Sequence, residues 1–299
     1  MDLKNNGKLN FVIDLFLSLD KFMSGGLVAM HKLAYELANR ECNVYIFCTP
    51  GYPHENITVI PSTVEIVEGH RFNATWEGFN YFNKNTISIY PEHGSGNKFN
   101  TINNTRWVMY HIGPKEITWF NDNDYIFNFE TFSTDPLKES GKLTVRDYNL
   151  DKFFTEDIDK NGYCFINGKE TPKNYKEILT QYNPTDITFY KDQPDLNLLR
   201  KEFNKYKYFL TFDEKTYLTT AAALCGCEAI ILNPNKDLTP LEYKLKNPLN
   251  MFGVAYGIDD LKWSGDTLHF VPNYIPQLKD IDQKTIENFI KFWKNKLNV

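Results

Sequence analysis

No stretch of this sequence approaches the roughly 20 consecutive apolar residues that span a bilayer as a helix, so no transmembrane segment is expected. A basic stripe is also missing. The chain has 33 Lys and Arg against 38 Asp and Glu, a formal net charge of −5, with both signs scattered along it. Gripping nucleic acid needs clustered positive charge, so nucleic acid is excluded as a partner. Cysteine is scarce: Cys42, Cys48, Cys164, Cys225 and Cys227 are odd in number, irregularly spaced and without a C-x-x-C pair. That excludes a zinc site and a disulfide framework, and reads as small buried residues in a reducing compartment. The N-terminal run MDLKNNGKLNFVIDLFLSLDKF has an apolar patch, but Asp14 interrupts it and no small-residue cleavage site follows. It reads as a strand, not a signal peptide. Without that signal the sequons at Asn56, Asn73 and Asn103 carry no weight. A cytoplasmic, soluble protein is expected.

The 299 residues are 42% hydrophobic and 15% aromatic, enough to bury sizeable cores. The length suits two domains of about 150 residues each. The stretch from Tyr208 to Leu232 organises the rest. Tyr208-Phe209-Leu210-Thr211-Phe212 reads as a buried strand and Asp213-Glu214-Lys215-Thr216 as a polar turn. A small-residue helix follows around Leu218 to Leu224, stopped by Gly226, and then a strand from Ala229 to Leu232. This is a parallel βαβ unit, whose right-handed crossover sets the helix start at the carboxyl edge of the sheet. Helix-start amides and dipole favour a phosphate there; the alternative is an ordinary helix packed on a sheet.

The chain opens with a similar unit: strand Leu9 to Leu17, helix Leu27 to Arg40, strand Cys42 to Cys48. Gly25 and Gly26 precede that helix and permit close backbone approach to a ligand, or simply a tight turn. The G-x-G-x-x-G fingerprint is absent, which disfavours a dinucleotide site. Further strands are expected at Ile57 to Val67, Thr86 to Tyr90, Val108 to His111 and Asp124 to Phe129, with a helix over Thr101 to Trp107. The second half reads as strand Gly162 to Ile166, helix Asn174 to Leu179, strand Asp186 to Tyr190 and helix Asp195 to Tyr206. After the organising unit come helix Thr239 to Lys246, a loop and strand over Met251 to Gly257, and an amphipathic helix from Gln283 to Leu297.

Two α/β halves, the Gly25-Gly26 pair and a strand-turn-helix ending Ala223-Leu224-Cys225-Gly226-Cys227 resemble the GT-B glycosyltransferases. The likeness is to their retaining, nucleotide-sugar-dependent branch. Its donor segment carries two glutamates eight positions apart, the second followed by A-x-x-x-G-C/T-P-x-I. Here Asp213 stands at the first position and Ala221 at the second, and Ala222 to Ile230 (AALCGCEAI) follows the tail with Glu228 in place of proline. The run Phe212 to Thr216 also resembles a pattern in bacterial and viral surface-glycan enzymes, where Asp and Thr replace the glutamate-glycine opening. The resemblance implies two Rossmann-like doubly wound domains facing a central cleft. Residues 1–155 would be the acceptor-side domain and 156–299 the nucleotide-sugar-binding domain with its closing helix.

It also implies transfer of a sugar from a nucleoside diphosphate sugar to a glycan acceptor, in surface polysaccharide or glycoprotein glycan synthesis, with no cofactor and commonly no metal. The departing diphosphate needs positive electrostatics. Candidates are the backbone and hydroxyls of Thr216, Tyr217 and Thr219, with Lys169 and Lys173 as point charges or as solvated loop lysines. Asp213 either contacts the transferred sugar or caps the helix. The second glutamate normally holds the ribose, so Ala221 implies a different or weaker ribose contact. Glu92 and His111, at strand ends, are the candidate groups for the acceptor's proton, with Asp20 the alternative base if the reaction inverts. Two other readings stay open: a non-catalytic nucleotide-sugar or glycan-binding protein on a degenerate scaffold, and a nucleotide-sugar epimerase of the same fold.

Overall fold

The computed structural model describes residues 7–15, 25–48, 64–68, 71–72, 75–76, 85–94, 96–110, 112–113, 117–129, 139–146, 149–191, 193, 195–234 and 237–299. The chain forms two compact units, one of residues 1–146 with 280–299 and the other of residues 147–279. The sequence reading divides it instead near 155.

In the first unit β1 (Asn10–Asp14), β2 (Asn43–Cys48), β3 (Val64–Glu68), β4 (Thr86–Pro91), β5 (Asn103–Val108), β6 (Tyr125–Asn128) and β7 (Glu139–Lys142) form one sheet. All pairings are parallel, in the order β3-β2-β1-β4-β5-β6-β7. Runs such as NFVID and NVYIFC are buried along their whole length because parallel strands are covered on both faces. One face carries Val12, Tyr45, Phe47, Tyr90 and Phe99. The helix α1 (Gly25–Asn39) buries Leu27, Met30, Leu33, Ala34 and Leu37, the stripe expected from its spacing. It begins at Gly25, so the glycine pair lies in its first turn; residues 16–24, including Asp20, lie outside the described residues.

The expected helix over Thr101 to Trp107 is strand β5. Its residues lack a 3.6-residue apolar stripe, and all six are buried between β4 and β6. The polar ones are bonded there: Asn103 Nδ2 donates to Thr86 O at 3.1 Å and Ser88 Oγ to Asn104 Oδ1 at 2.7 Å. Partners distant in sequence thus override a weak local signal.

The second unit has a five-stranded sheet of β8 (Tyr163–Phe165), β9 (Thr185–Asp186), β10 (Tyr208–Thr211), β11 (Glu228–Ile231) and β12 (Val254–Tyr256), again all parallel. Its order is β9-β8-β10-β11-β12. Alternate residues enter two cores. Cys164, Phe209, Ala229, Ile231 and Val254 join one cluster, while Phe165, Leu210, Ile230 and Ala255 join another. Both faces are therefore covered, and with the reversal of strand order this makes each unit a Rossmann-like α/β layer structure. The expected strand Asp186 to Tyr190 stops at Asp186. Its carboxylate accepts from Thr188 N at 2.8 Å and turns the chain into the short helix Thr188–Lys191.

The C-terminal helix (Val271–Leu297) begins well before the expected Gln283 and carries Pro276 within it. Val271, Ile275 and Leu278 belong to the second unit's core. Later residues serve the first unit, where Phe289 packs on Phe11 and Phe127, and Thr285 Oγ1 accepts from Thr144 N at 2.9 Å. The amphipathic stripe is legible in the sequence; which sheet it covers is not. No described helix is long and apolar enough to cross a membrane.

Candidate functional site

Open α/β sheets bind ligands outside the carboxyl ends of the strands where strand order reverses. In the second unit that point lies between β8 and β10. After β8 the chain runs through Asn167 to Lys173, and after β10 through Phe212 to Tyr217. The two turns are bonded to each other. Asp213 Oδ2 accepts from Lys169 N at 3.2 Å and Oδ1 from Glu170 N at 2.7 Å. In return Glu214 N donates to Glu170 Oε2 at 2.7 Å. Asp213 therefore caps the neighbouring loop rather than the helix that follows it.

Glu214 is held further by Tyr243, whose hydroxyl donates to Glu214 Oε1 at 3.0 Å. Tyr243 stacks on Tyr256, with ring centroids 4.5 Å apart. Beside these turns opens a cavity of about 480 Å³, lined by Glu170, Pro172, Asn174, Ile178, Phe212, Glu214, Leu232 and Asn233. That volume falls in the range of small-molecule sites.

The helix α5 (Leu218–Leu224; α2, α3 and α4 being Tyr175–Leu179, Thr188–Lys191 and Leu196–Lys205) starts at this edge. Thr216 Oγ1 accepts from Leu218 N at 3.3 Å, and Thr216 and Tyr217 are partly exposed. Thr219 is wholly buried, its hydroxyl 2.7 Å from Thr216 O and 2.7 Å from Asn250 Oδ1. Its side chain thus serves the interior of the turn. Ala221 is also fully buried, and Lys169 and Lys173 are exposed on the loop after β8.

In the first unit the order reverses between β1 and β4. Asp14 ends β1 and forms a buried ion pair with Lys98, Nζ to Oδ2 2.7 Å. Glu92, just past β4, is buried, its Oε2 accepting from Met109 N at 3.1 Å and its Oε1 lying 3.2 Å from His93 Nε2. A Cβ on Gly26 would meet Met109 Cε at 3.7 Å, so the start of α1 and the end of β5 lie close together. His111 lies outside the described residues.

Sequence reasoning missed Arg106, Lys98, Glu170 and Glu214. Arg106 is fully buried in β5 and donates to the carbonyls of Gly94 and Gly96, while Nε donates to Asp124 Oδ2 at 2.6 Å. Its guanidinium lies 4.6 Å from the Tyr90 ring centroid. A lone arginine between Thr105 and Trp107 was the only available signal. All five cysteines are free and buried. Burial pushes the Cys225 thiol up to about 12 and Cys42 to about 11, so neither is a nucleophile at neutral pH. Among the described residues no three His, Cys, Asp or Glu side chains converge as metal ligands.

No family model matches the chain, and no curated protein matches it in sequence. Among solved structures it is similar to a sucrose-phosphate synthase from Thermosynechococcus elongatus, with a TM-score of 0.47 and 9% identity over 97% of this chain and 98% of that one. It is also similar to the calicheamicin glycosyltransferase CalG4, with a TM-score of 0.37 and 8% identity over 96% and 94% of the two chains. Likeness at this level carries no weight for activity, which has to be read from the residues and the strand order.

Proposed function

We propose that the protein is a GT-B-type glycosyltransferase that moves a sugar from a nucleoside diphosphate sugar to a glycan acceptor, in surface polysaccharide or glycoprotein glycan synthesis, without a metal. One observation carries this reading. The segment whose residues resemble a donor-binding motif, Asp213 to Ile230, follows β10 and forms the turn, α5 and most of β11 at the reversal of strand order, and its turn is bonded to the loop after β8 beside a cavity.

In this reading the diphosphate lies against the amides of Thr216, Tyr217 and Thr219, with Lys169 and Lys173 supplying positive charge from the loop. Their task is to stabilise the charge that builds on the leaving diphosphate as the glycosidic bond breaks. Asp213 binds two amides and keeps further acceptor capacity for a sugar hydroxyl. The acceptor's proton falls to His111 or Glu92 of the first unit, where Gly25 and Gly26 leave room for close approach.

A second reading, a non-catalytic nucleotide-sugar or glycan-binding protein, is favoured by Ala221. Its methyl group offers no carboxylate for a ribose where the motif has one, and the residue is fully buried. Purified protein incubated with nucleotide sugars separates the two. Slow donor hydrolysis that disappears in Lys169→Ala supports transfer. Saturable binding with no turnover, under a panel of glycan acceptors, supports the binding protein.

A further inference from the structure

Resting on the reading of the second unit as the donor-binding one, we propose that Asn250 is a positioning residue of the donor site. Asn250 is fully buried, so it works through the turn after β10 and not by touching a ligand. An amide enclosed by protein costs free energy unless both of its ends are bonded, and a leucine of similar volume would carry no such cost. Here both ends are bonded. Oδ1 lies 2.7 Å from the Thr219 hydroxyl in the first turn of α5. Nδ2 donates to the Tyr256 hydroxyl at 3.0 Å and, at the longer distance of 3.5 Å, to Glu214 O.

The other members of the network converge on the same carbonyl. Tyr256, the last residue of β12, donates to Glu214 O at 3.4 Å, and Asn247 Nδ2 donates to it at 3.4 Å. Thr220 Oγ1 donates to Leu249 O at 3.0 Å, a further tie between α5 and the segment that carries Asn250. Glu214 is thus anchored from the interior through its carbonyl, while its amide donates to Glu170 Oε2 at 2.7 Å on the loop after β8. Glu170 and Glu214 both line the cavity, so a shift of the Glu214 peptide moves that wall and releases the loop opposite. A buried polar network with its members satisfied fixes one arrangement of the groups around it. The network around Asn250 joins the turn after β10, the first turn of α5 and the end of β12 into one frame.

Three variants test this. Asn250→Leu keeps the volume and removes both amide bonds, and its partners retain others: Thr219 Oγ1 lies 2.7 Å from Thr216 O, and Glu214 O still accepts from Tyr256 and Asn247. Tyr256→Phe keeps the ring stacked on Tyr243 and removes only the hydroxyl. Ser264→Ala is the control for general loosening, since it removes another buried hydrogen bond of the same unit, from Ser264 Oγ to Gly253 O at 2.9 Å. The wild-type protein is titrated calorimetrically with GDP, UDP, ADP and CDP, and the tightest binder is then titrated into each variant well below its thermal melt. Asn250→Leu should weaken binding by about tenfold or more, the order of effect of removing a partner that orients a binding group. Tyr256→Phe should weaken it by about threefold, one hydrogen bond's worth, and Ser264→Ala by less than about twofold. Wild-type affinity in Asn250→Leu, or an equal loss in Ser264→Ala, overturns the positioning role and leaves the donor-site reading intact. If Asn250→Leu does not fold, Tyr256→Phe decides by the same criterion. Binding of none of the four nucleotides to the wild-type protein overturns the donor-site reading and the positioning role with it.

Discussion

The Asp213 carboxylate occupies the space that a side chain on Gly168 would fill: a Cβ there would overlap its carboxyl group. The same carboxylate takes the amides of Lys169 and Glu170. Gly168 is thus required by close packing, not by an unusual backbone angle. Gly168→Ala should expel Asp213 from the loop, lowering stability by about 1–3 kcal/mol, the cost of overpacking, and weakening donor binding. Because both substitutions remove one arrangement, Gly168→Ala and Asp213→Ala should be strongly non-additive in a double-mutant cycle read by urea unfolding. Simple additivity would show that the two residues act independently.

Arg106 and Asp124 form an ion pair with both side chains fully buried. Removing one partner strands the other, so Arg106→Met should destabilise the first unit by about 3–5 kcal/mol. Arg106→Met/Asp124→Asn should recover part of that loss. Chemical denaturation followed by tryptophan fluorescence checks both, since Trp107 is the neighbouring residue and is buried.

Burial raises the thiols of Cys42 and Cys225 from 9.0 to about 11 and about 12. The native state therefore holds these protons after an unfolded chain has lost them, and the stabilisation is complete below pH 9 and declines as pH climbs toward 11–12. Cys225→Ala costs stability at neutral pH by leaving a small cavity, and its deficit should narrow above pH 9. Thermal melts from pH 7 to 10.5 measure this; a deficit independent of pH would contradict it.

Glu228, which replaces the motif's proline, has its carboxyl raised above 4.5 by burial, with Lys207 opposing. A raised carboxyl contributes stability only while protonated, and loses it as pH rises through its folded value. Glu228→Gln should accordingly stabilise the protein at pH 7 by less than about 1 kcal/mol, since the group is partly exposed and screened. The gain should vanish below pH 4.5. A loss at pH 7 would mean that the carboxylate makes a stabilising contact.

The organising unit was legible because its signals agree: an apolar run, a polar turn, a small-residue helix, Gly226 and a second apolar run. Strand β5 was not, because Asn103, Asn104 and Arg106 look like surface residues until Ser88, Thr86 and Asp124 are brought beside them. Strand β7, Glu139-Ser-Gly-Lys142, went unread for a related reason: it is a polar edge strand with no apolar pattern. At the site, the sequence pointed to Asp213 and the Lys169 loop. It could not reveal that their bonds run to one another, nor that Glu170 and Glu214, ordinary turn residues by type, line one cavity. Such pairings join residues more than 40 positions apart and leave no periodicity to read.

The central claim is that the carboxyl edge of the second sheet holds a nucleotide sugar. Hydrogen exchange read by mass spectrometry, with and without saturating GDP-sugar and UDP-sugar, tests it most directly. The account predicts slowed exchange in peptides covering 167–173 and 213–219 with at least one of the two. Unchanged exchange in both segments, while either ligand measurably binds, would contradict it.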